Sequence, residues 1–164
     1  NSTRSPTATM IAKITPQAHN NMEITQMKTE QQIRSCYELM AVLRPHLIKM
    51  DFQNRVSRQM EQGYQLRALQ NNNDHLALIG YRLVENLIFG KFLYIDDLVT
   101  APNHKRKGYA GQLLDWAIQF SIDEGCQAVQ LDSGFQNADA HRLYLNKGFQ
   151  LSAHHFRKSL ATLP

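Results

Sequence analysis

Hydrophobic positions recur along this chain with two different periods, and the switches between them divide it into elements. Glu23–Met27 reads as a short strand, after which Thr29 and Gln32, three residues apart, match a helix capping box. Ile33, Cys36, Tyr37 and Met40 follow at spacings of three and four, the stripe of an amphipathic helix that Pro45 ends. A second helix spans Asp51–Gln62, with Phe52, Val56 and Met60 on one face and Gly63 as its stop. From Tyr64 the texture becomes β: Tyr64–Leu69 and Leu76–Val84 flank the polar turn Asn71–Asp74 as a hairpin, and Lys91–Thr100 is a strongly β-forming run.

The segment Gly108–Glu124 carries the clearest helical signal. Gln112, Asp115, Gln119 and Asp123 share one narrow face, and nearly everything else is apolar, as in a helix lying across a sheet. Gly125 is placed to close its C-terminus. Gln127–Asp132 is then a strand, Asn137–Lys147 a helix closed by Gly148, and Phe149–Leu160 a final strand region. Strand, buried helix, strand requires a right-handed parallel crossover within an otherwise antiparallel sheet, an α/β (α+β) arrangement.

Composition narrows the class. With 164 residues, 43% hydrophobic and 20% charged, the chain suits one globular domain with a real core. Residues 22–164 are expected to form that domain, and residues 1–21 a natural or vector-derived tail whose Met10, Ile11 and Ile14 offer surface anchors. Cys36 and Cys126 are too far apart in sequence to suggest a disulfide framework or a cysteine-based zinc site. No run approaches the roughly 20 apolar residues of a membrane span, and no basic-then-apolar leader opens the chain, so a cytoplasmic protein is expected. The net charge of +4 favours an anionic partner only where a cluster localises it.

Such a cluster exists. Leu98-Val99-Thr100 ends a strand, and Lys105-Arg106-Lys107-Gly108-Tyr109-Ala110-Gly111 turns directly into the long buried helix. Free N–H groups and the dipole at a helix N-terminus favour anions, glycines permit close backbone approach, and the basic side chains add charge. The spacing is not that of a Walker loop.

This turn resembles the acetyl-CoA-binding motif of the GNAT N-acetyltransferases, Gln/Arg-x-x-Gly-x-Gly/Ala, with Lys105 at the position where that family prefers Gln or Arg. A second family pattern, Asn-x-x-Ala-x-x-x-Tyr followed by Gly-Phe, is matched by Asn137, Ala140, Tyr144, Gly148 and Phe149. The resemblance implies a mixed, mainly antiparallel sheet of about six or seven strands, helices on both faces, and two central parallel strands that part in a V. It also implies direct acetyl transfer from acetyl-CoA to a primary amine. Leu98, Val99, Thr100, Lys105, Arg106, Lys107, Gly108, Tyr109, Ala110, Gly111, Asn137 and Tyr144 are then the candidate cofactor-binding residues. A backbone N–H near Leu98–Val99 would hold the developing oxyanion, and Tyr144 would be the general acid.

Asp96 and Asp97 are candidates for proton relay or acceptor binding. As neighbours on a strand they are expected on opposite faces, with one facing the cleft. Asp132 and Ser133, at the end of their strand, are further candidates for the acceptor wall, and the resemblance implies the same of the segment containing Arg44, His46 and Lys49. His141, His154 and His155 lack metal-ligand spacing, and no metal is expected. The acceptor is a small-molecule amine or a protein or peptide amine. The absence of an aromatic stacking platform argues against nucleic acid. Homodimerisation is a further family implication, and the competing reading is a non-catalytic acyl-CoA-binding module on the same fold.

Overall fold

The computed structural model describes residues 22–160. Within them the chain runs β1 (Met22–Gln26), α1 (Glu30–Ser35), α2 (Tyr37–Leu43), α3 (Lys49–Met60), β2 (Gln65–Asn71), β3 (Asp74–Asn86), β4 (Gly90–Thr100), α4 (Tyr109–Asp123), β5 (Ala128–Leu131) and α5 (Ala138–Asn146). The expected tail over residues 1–21, with Met10, Ile11 and Ile14, lies outside the described residues.

The strands form one sheet in the order β1-β2-β3-β4-β5, antiparallel except for the parallel β4–β5 pair. Five strands are present among the described residues, fewer than the expected six or seven. The expected strand over Phe149–Leu160 does not form: residues 149–160 carry no regular structure, and Leu151, Phe156 and Leu160 are about nine-tenths exposed. Neither apolar alternation nor β propensity is enough where no neighbouring strand takes up the backbone groups. The parallel pair therefore lies at the sheet edge, not at its centre. It pairs only over Phe92–Ile95 with Ala128–Leu131; β4 then runs on to Thr100 paired with β3 alone, so this stretch of its other edge has no β5 beside it.

Two cores flank the sheet. On one face Ile33, Cys36, Met40, Phe52 and Val56 of α1–α3 pack on Tyr64, Leu66, Ala68, Leu78 and Val99. On the other, Leu113, Leu114 and Ala117 of α4 pack on Ala77, Ile79, Tyr81, Leu93 and Ile95, with Leu143 and Tyr144 of α5 alongside. Gln112, Asp115, Gln119 and Asp123 are exposed, as the α4 pattern requires. The capping box forms, with Gln32 N–H donating to Thr29 Oγ1 at 3.2 Å and Thr29 N–H donating to Gln32 Oε1 at 2.9 Å. The first helical stretch is interrupted at Cys36, which serves as the end of α1 and the start of α2. Burial pushes the Cys36 thiol up to about 12, so it acts as a packing residue, not a nucleophile.

Candidate active site

One departure from regular strand geometry organises the site. β3 and β4 pair Gly80 with Asp97 but Tyr81 with Ile95, so β4 carries an extra residue, Asp96, opposite that step. A β-bulge of this kind breaks the two-residue alternation of side chains. Asp96 and Asp97, expected on opposite faces, therefore both line the same cleft on the α1–α3 face. That cleft encloses about 330 Å³ between α2, α3 and β4, and Met40, Arg44, His46, Phe52, Arg55 and Gln59 contribute to its walls.

Both carboxylates are held. Arg82 Nε donates to Asp96 Oδ1 and Oδ2 at 3.1 and 3.0 Å, and Arg82 Nη2 donates to Gln59 Oε1 at 3.0 Å. Arg44 Nε donates to Asp97 Oδ1 at 2.9 Å, and its Nη2 donates to the Asp96 carbonyl at 2.9 Å. Tyr64 Oη donates to Asp97 Oδ2 at 2.9 Å. Burial raises the Asp96 carboxyl above the usual range, with the Arg82 guanidinium opposing it. Tyr64 is pushed well above an ordinary phenol by burial and by the Asp97 carboxylate, so it stays a donor.

Gly80 makes room for that tyrosine. A Cβ there would lie 2.0 Å from Tyr64 Oη and 2.6 Å from Tyr64 Cζ. Tyr64, Gly80 and Arg82 were not singled out from the sequence. The signal for Gly80 was a lone glycine inside an otherwise apolar strand, a pattern that marks a bulge or a close approach.

At the far end of β4 the backbone opens. Ala101 N–H donates to Leu76 O at 2.9 Å, so by alternation Val99 faces β3 while the Leu98 and Thr100 N–H groups face the edge that β5 has left. The chain then passes through Pro102–His104 and Lys105–Lys107, where Arg106 adopts φ +63°, and reaches Gly108 at φ +82°. Gly108 is the N-cap of α4, and no side chain caps that helix. The N–H groups of Tyr109, Ala110 and Gly111 thus precede the first intrahelical donor, the Gln112 N–H that bonds to Gly108 O at 3.0 Å, and have no intrahelical acceptor. Nothing lies within 4 Å of where a Gly108 Cβ would stand, and Lys105, Arg106 and Lys107 are exposed around this opening. Gly111 plays a different part from Gly108. Its missing Cβ points at Lys147 Cε (3.4 Å) and Leu143 Cδ1 (3.8 Å), so the close approach it permits is α5 onto α4.

Tyr144 sits on α5 against the α4-side core, its ring 5.9 Å from that of Phe149. Burial raises its hydroxyl above the ordinary phenol value. The hydroxyl has no hydrogen-bond partner among the described residues, yet it is not among buried unsatisfied atoms, so solvent reaches it. Asn137 occupies the N-cap of α5, but its side chain makes no capping bond. Asp132 accepts from Tyr94 Oη at 2.6 Å and lies 3.1 Å from His155 Nδ1; neither it nor Ser133 lines the cleft. Lys49 also points elsewhere, donating to Glu38 at 2.5 Å. Among the described residues no cluster of His, Cys, Asp or Glu could hold a metal ion, and no helix is long and apolar enough to cross a membrane.

An open β4 edge beside an uncapped, glycine-led helix, with a cleft on the opposite face whose two carboxylates are each paired with an arginine, suits transfer of a group carried on a phosphate-bearing cosubstrate. The acetyltransferase (GNAT) family model matches residues 29–149. The chain is 34% identical over 139 residues to YhdJ, an uncharacterized N-acetyltransferase of Bacillus subtilis, covering 84% of this chain and 98% of that one. Over 66 residues it is 33% identical to an aminoalkylphosphonate N-acetyltransferase of Salmonella typhimurium, covering 40% of this chain and 43% of the relative. Its fold matches the aminoglycoside N-acetyltransferase AAC(6')-Iy in complex with CoA, with a TM-score of 0.76 at 14% identity over 90% of this chain and all of the other. The protein belongs to the GNAT family and is an N-acetyltransferase.

Proposed function

We propose that the protein transfers an acetyl group from acetyl-CoA to the primary amine of a small molecule, by direct attack within a ternary complex. The observation that carries this reading is the open helix start at Gly108. It has a left-handed backbone, no capping side chain, free space and a basic rim, as a bound diphosphate requires. Lys105, Arg106 and Lys107 supply charge there, and the N–H groups of Tyr109, Ala110 and Gly111 supply directed donors. Lysine at position 105 keeps the charge but lacks the planar fork of arginine.

The thioester end then falls along the parted edge of β4. The Leu98 N–H is suited to hold the carbonyl oxygen as negative charge develops on it. A primary alkylamine has a pKa of about 10, so it must lose a proton before its nitrogen attacks the thioester carbon. Asp96 and Asp97, side by side on the cleft floor, can take that proton through water, and burial raises the proton affinity of the Asp96 carboxylate above that of an ordinary one. As the carbon–sulfur bond breaks, Tyr144 donates its proton to the departing thiolate. A phenol carries its proton at neutral pH, and burial only strengthens its hold on it. The aminoalkylphosphonate N-acetyltransferase among its relatives, together with the modest cleft volume, supports a small free amine as acceptor.

The test follows free-thiol release from acetyl-CoA across a panel of primary amines and peptides. Amine-stimulated release is expected. Tight acetyl-CoA binding without turnover on any acceptor would instead favour a non-catalytic acyl-CoA-binding module.

A further inference from the structure

We infer that the acceptor carries an anionic group, a carboxylate or phosphonate a few bonds from its amine, and that Arg55 binds that group; this rests on the acetyl-transfer reading above. The argument begins with the charges on the cleft. Asp96 is matched by Arg82, and Asp97 by Arg44 and Tyr64, so the floor is close to neutral. Arg55 also lines the cleft, and among the described residues it takes part in no ion pair. The cleft therefore has an excess positive charge at one position on its wall.

Where Arg55 stands on its helix matters. Phe52, Arg55, Val56 and Gln59 follow the three- and four-residue spacing of a single α3 face, and all of them line the cleft. Phe52 and Val56 are core residues on this face, so Arg55 sits beside the apolar stripe that packs on the sheet, whereas Asn54 and Arg58 are not among the cleft residues. His46, also on the wall, adds a second potential donor. A guanidinium presents a planar fork that fits carboxylate and phosphonate oxygens in pairs.

The arrangement has two chemically distinct ends. A plain alkylamine approaches as a cation, and an unpaired guanidinium does nothing to hold it. An amine bearing an anion can anchor at Arg55 on α3 and extend its nitrogen toward Asp96 and Asp97 on β4. Those carboxylates retain lone pairs beyond the bonds they already accept. The modest cleft volume limits the acceptor to a short skeleton, which favours a small amino acid or aminoalkylphosphonate over a long polycation.

The experiment measures kcat/KM by thiol release with matched skeletons: n-propylamine, β-alanine and 2-aminoethylphosphonate. Each is tested with the wild-type protein, Arg55→Gln and Arg55→Lys. The wild type should prefer at least one anionic amine over n-propylamine by roughly 10- to 100-fold, the range of one charge-assisted pair. In Arg55→Gln that preference should fall about tenfold or more, mainly through KM, and Arg55→Lys should restore part of it. Preference for β-alanine or for the phosphonate identifies which anion the site takes. Equal use of n-propylamine, or a preference unchanged in Arg55→Gln, would overturn the inference and leave acetyl transfer standing. Absence of turnover on every amine would remove both.

Discussion

Gly80→Ala is the perturbation whose consequences the structure specifies most fully. No positive φ applies at Gly80, so alanine is conformationally acceptable there and would ordinarily favour a strand by about 0.5–1 kcal/mol over glycine. Space decides the other way. The added methyl would stand 2.0 Å from Tyr64 Oη and 2.7 Å from Cε2, and Tyr64 is only 4% exposed, so its rigid ring cannot swing into solvent. Overpacking of this kind costs about 1–3 kcal/mol. Displacing Tyr64 also breaks its 2.9 Å bond to the Asp97 carboxylate, a charged hydrogen bond contributing about 1.5–3 kcal/mol. Because one ring movement relieves the clash and breaks the bond, the two costs overlap, and the net destabilisation should be roughly 2–4 kcal/mol. Urea denaturation should show a lower midpoint at unchanged slope, with Tm down by roughly 5–15 °C. Tyr64→Phe removes the nearest clashing atom, so the double variant Tyr64→Phe/Gly80→Ala should recover at least about 1 kcal/mol relative to additivity. A Gly80→Ala protein within about 0.5 kcal/mol of wild type would refute the packing of Tyr64 over Gly80.

Three other outcomes are expected. Tyr144→Phe should lower kcat about 100-fold or more while leaving acetyl-CoA affinity nearly unchanged, as read by steady-state kinetics beside titration calorimetry; equal kcat would remove Tyr144 as the acid. Gly108→Ala meets no steric obstacle but must hold φ +82°, so it should cost about 1 kcal/mol of stability by urea denaturation and also weaken acetyl-CoA binding. Tyr64, Tyr81, Tyr94 and Tyr144 all have raised pKa values, chiefly through burial, so the folded chain keeps protons that the unfolded chain loses as pH rises through about 10. Stability measured by urea midpoint should hold below that pH and fall above it; a flat profile to pH ~12 would contradict the burial of these hydroxyls.

The elements most legible in the sequence were those with a local cause. The capping box at Thr29, the polar stripe of α4 and the glycine stops at Gly63, Gly125 and Gly148 each act within a few residues, and each appears in the structure, all of these glycines adopting positive φ. What escaped depended on partners distant in sequence. The relation of Asp96 to Asp97 turns on where β3 takes up an extra β4 residue, a register fact that strand alternation cannot reveal. Phe149–Leu160 has the composition of a strand but no neighbour that pairs with it among the described residues. The Tyr64–Gly80–Asp97 contact joins three strand-region segments, and only the isolated glycine hinted at it. Gly111 was expected to let backbone approach a ligand, whereas the neighbours its missing Cβ admits are Lys147 and Leu143 at α5, a packing relation between distant segments.

Titration calorimetry of acetyl-CoA into the whole protein reports directly on the basic turn that leads into α4. One molecule should bind per chain, weakening as salt is raised because charge attracts the diphosphate, and Lys105→Ala/Lys107→Ala should reduce the affinity further. No detectable binding at millimolar acetyl-CoA, or binding indifferent to both salt and those substitutions, would contradict a diphosphate site at Gly108.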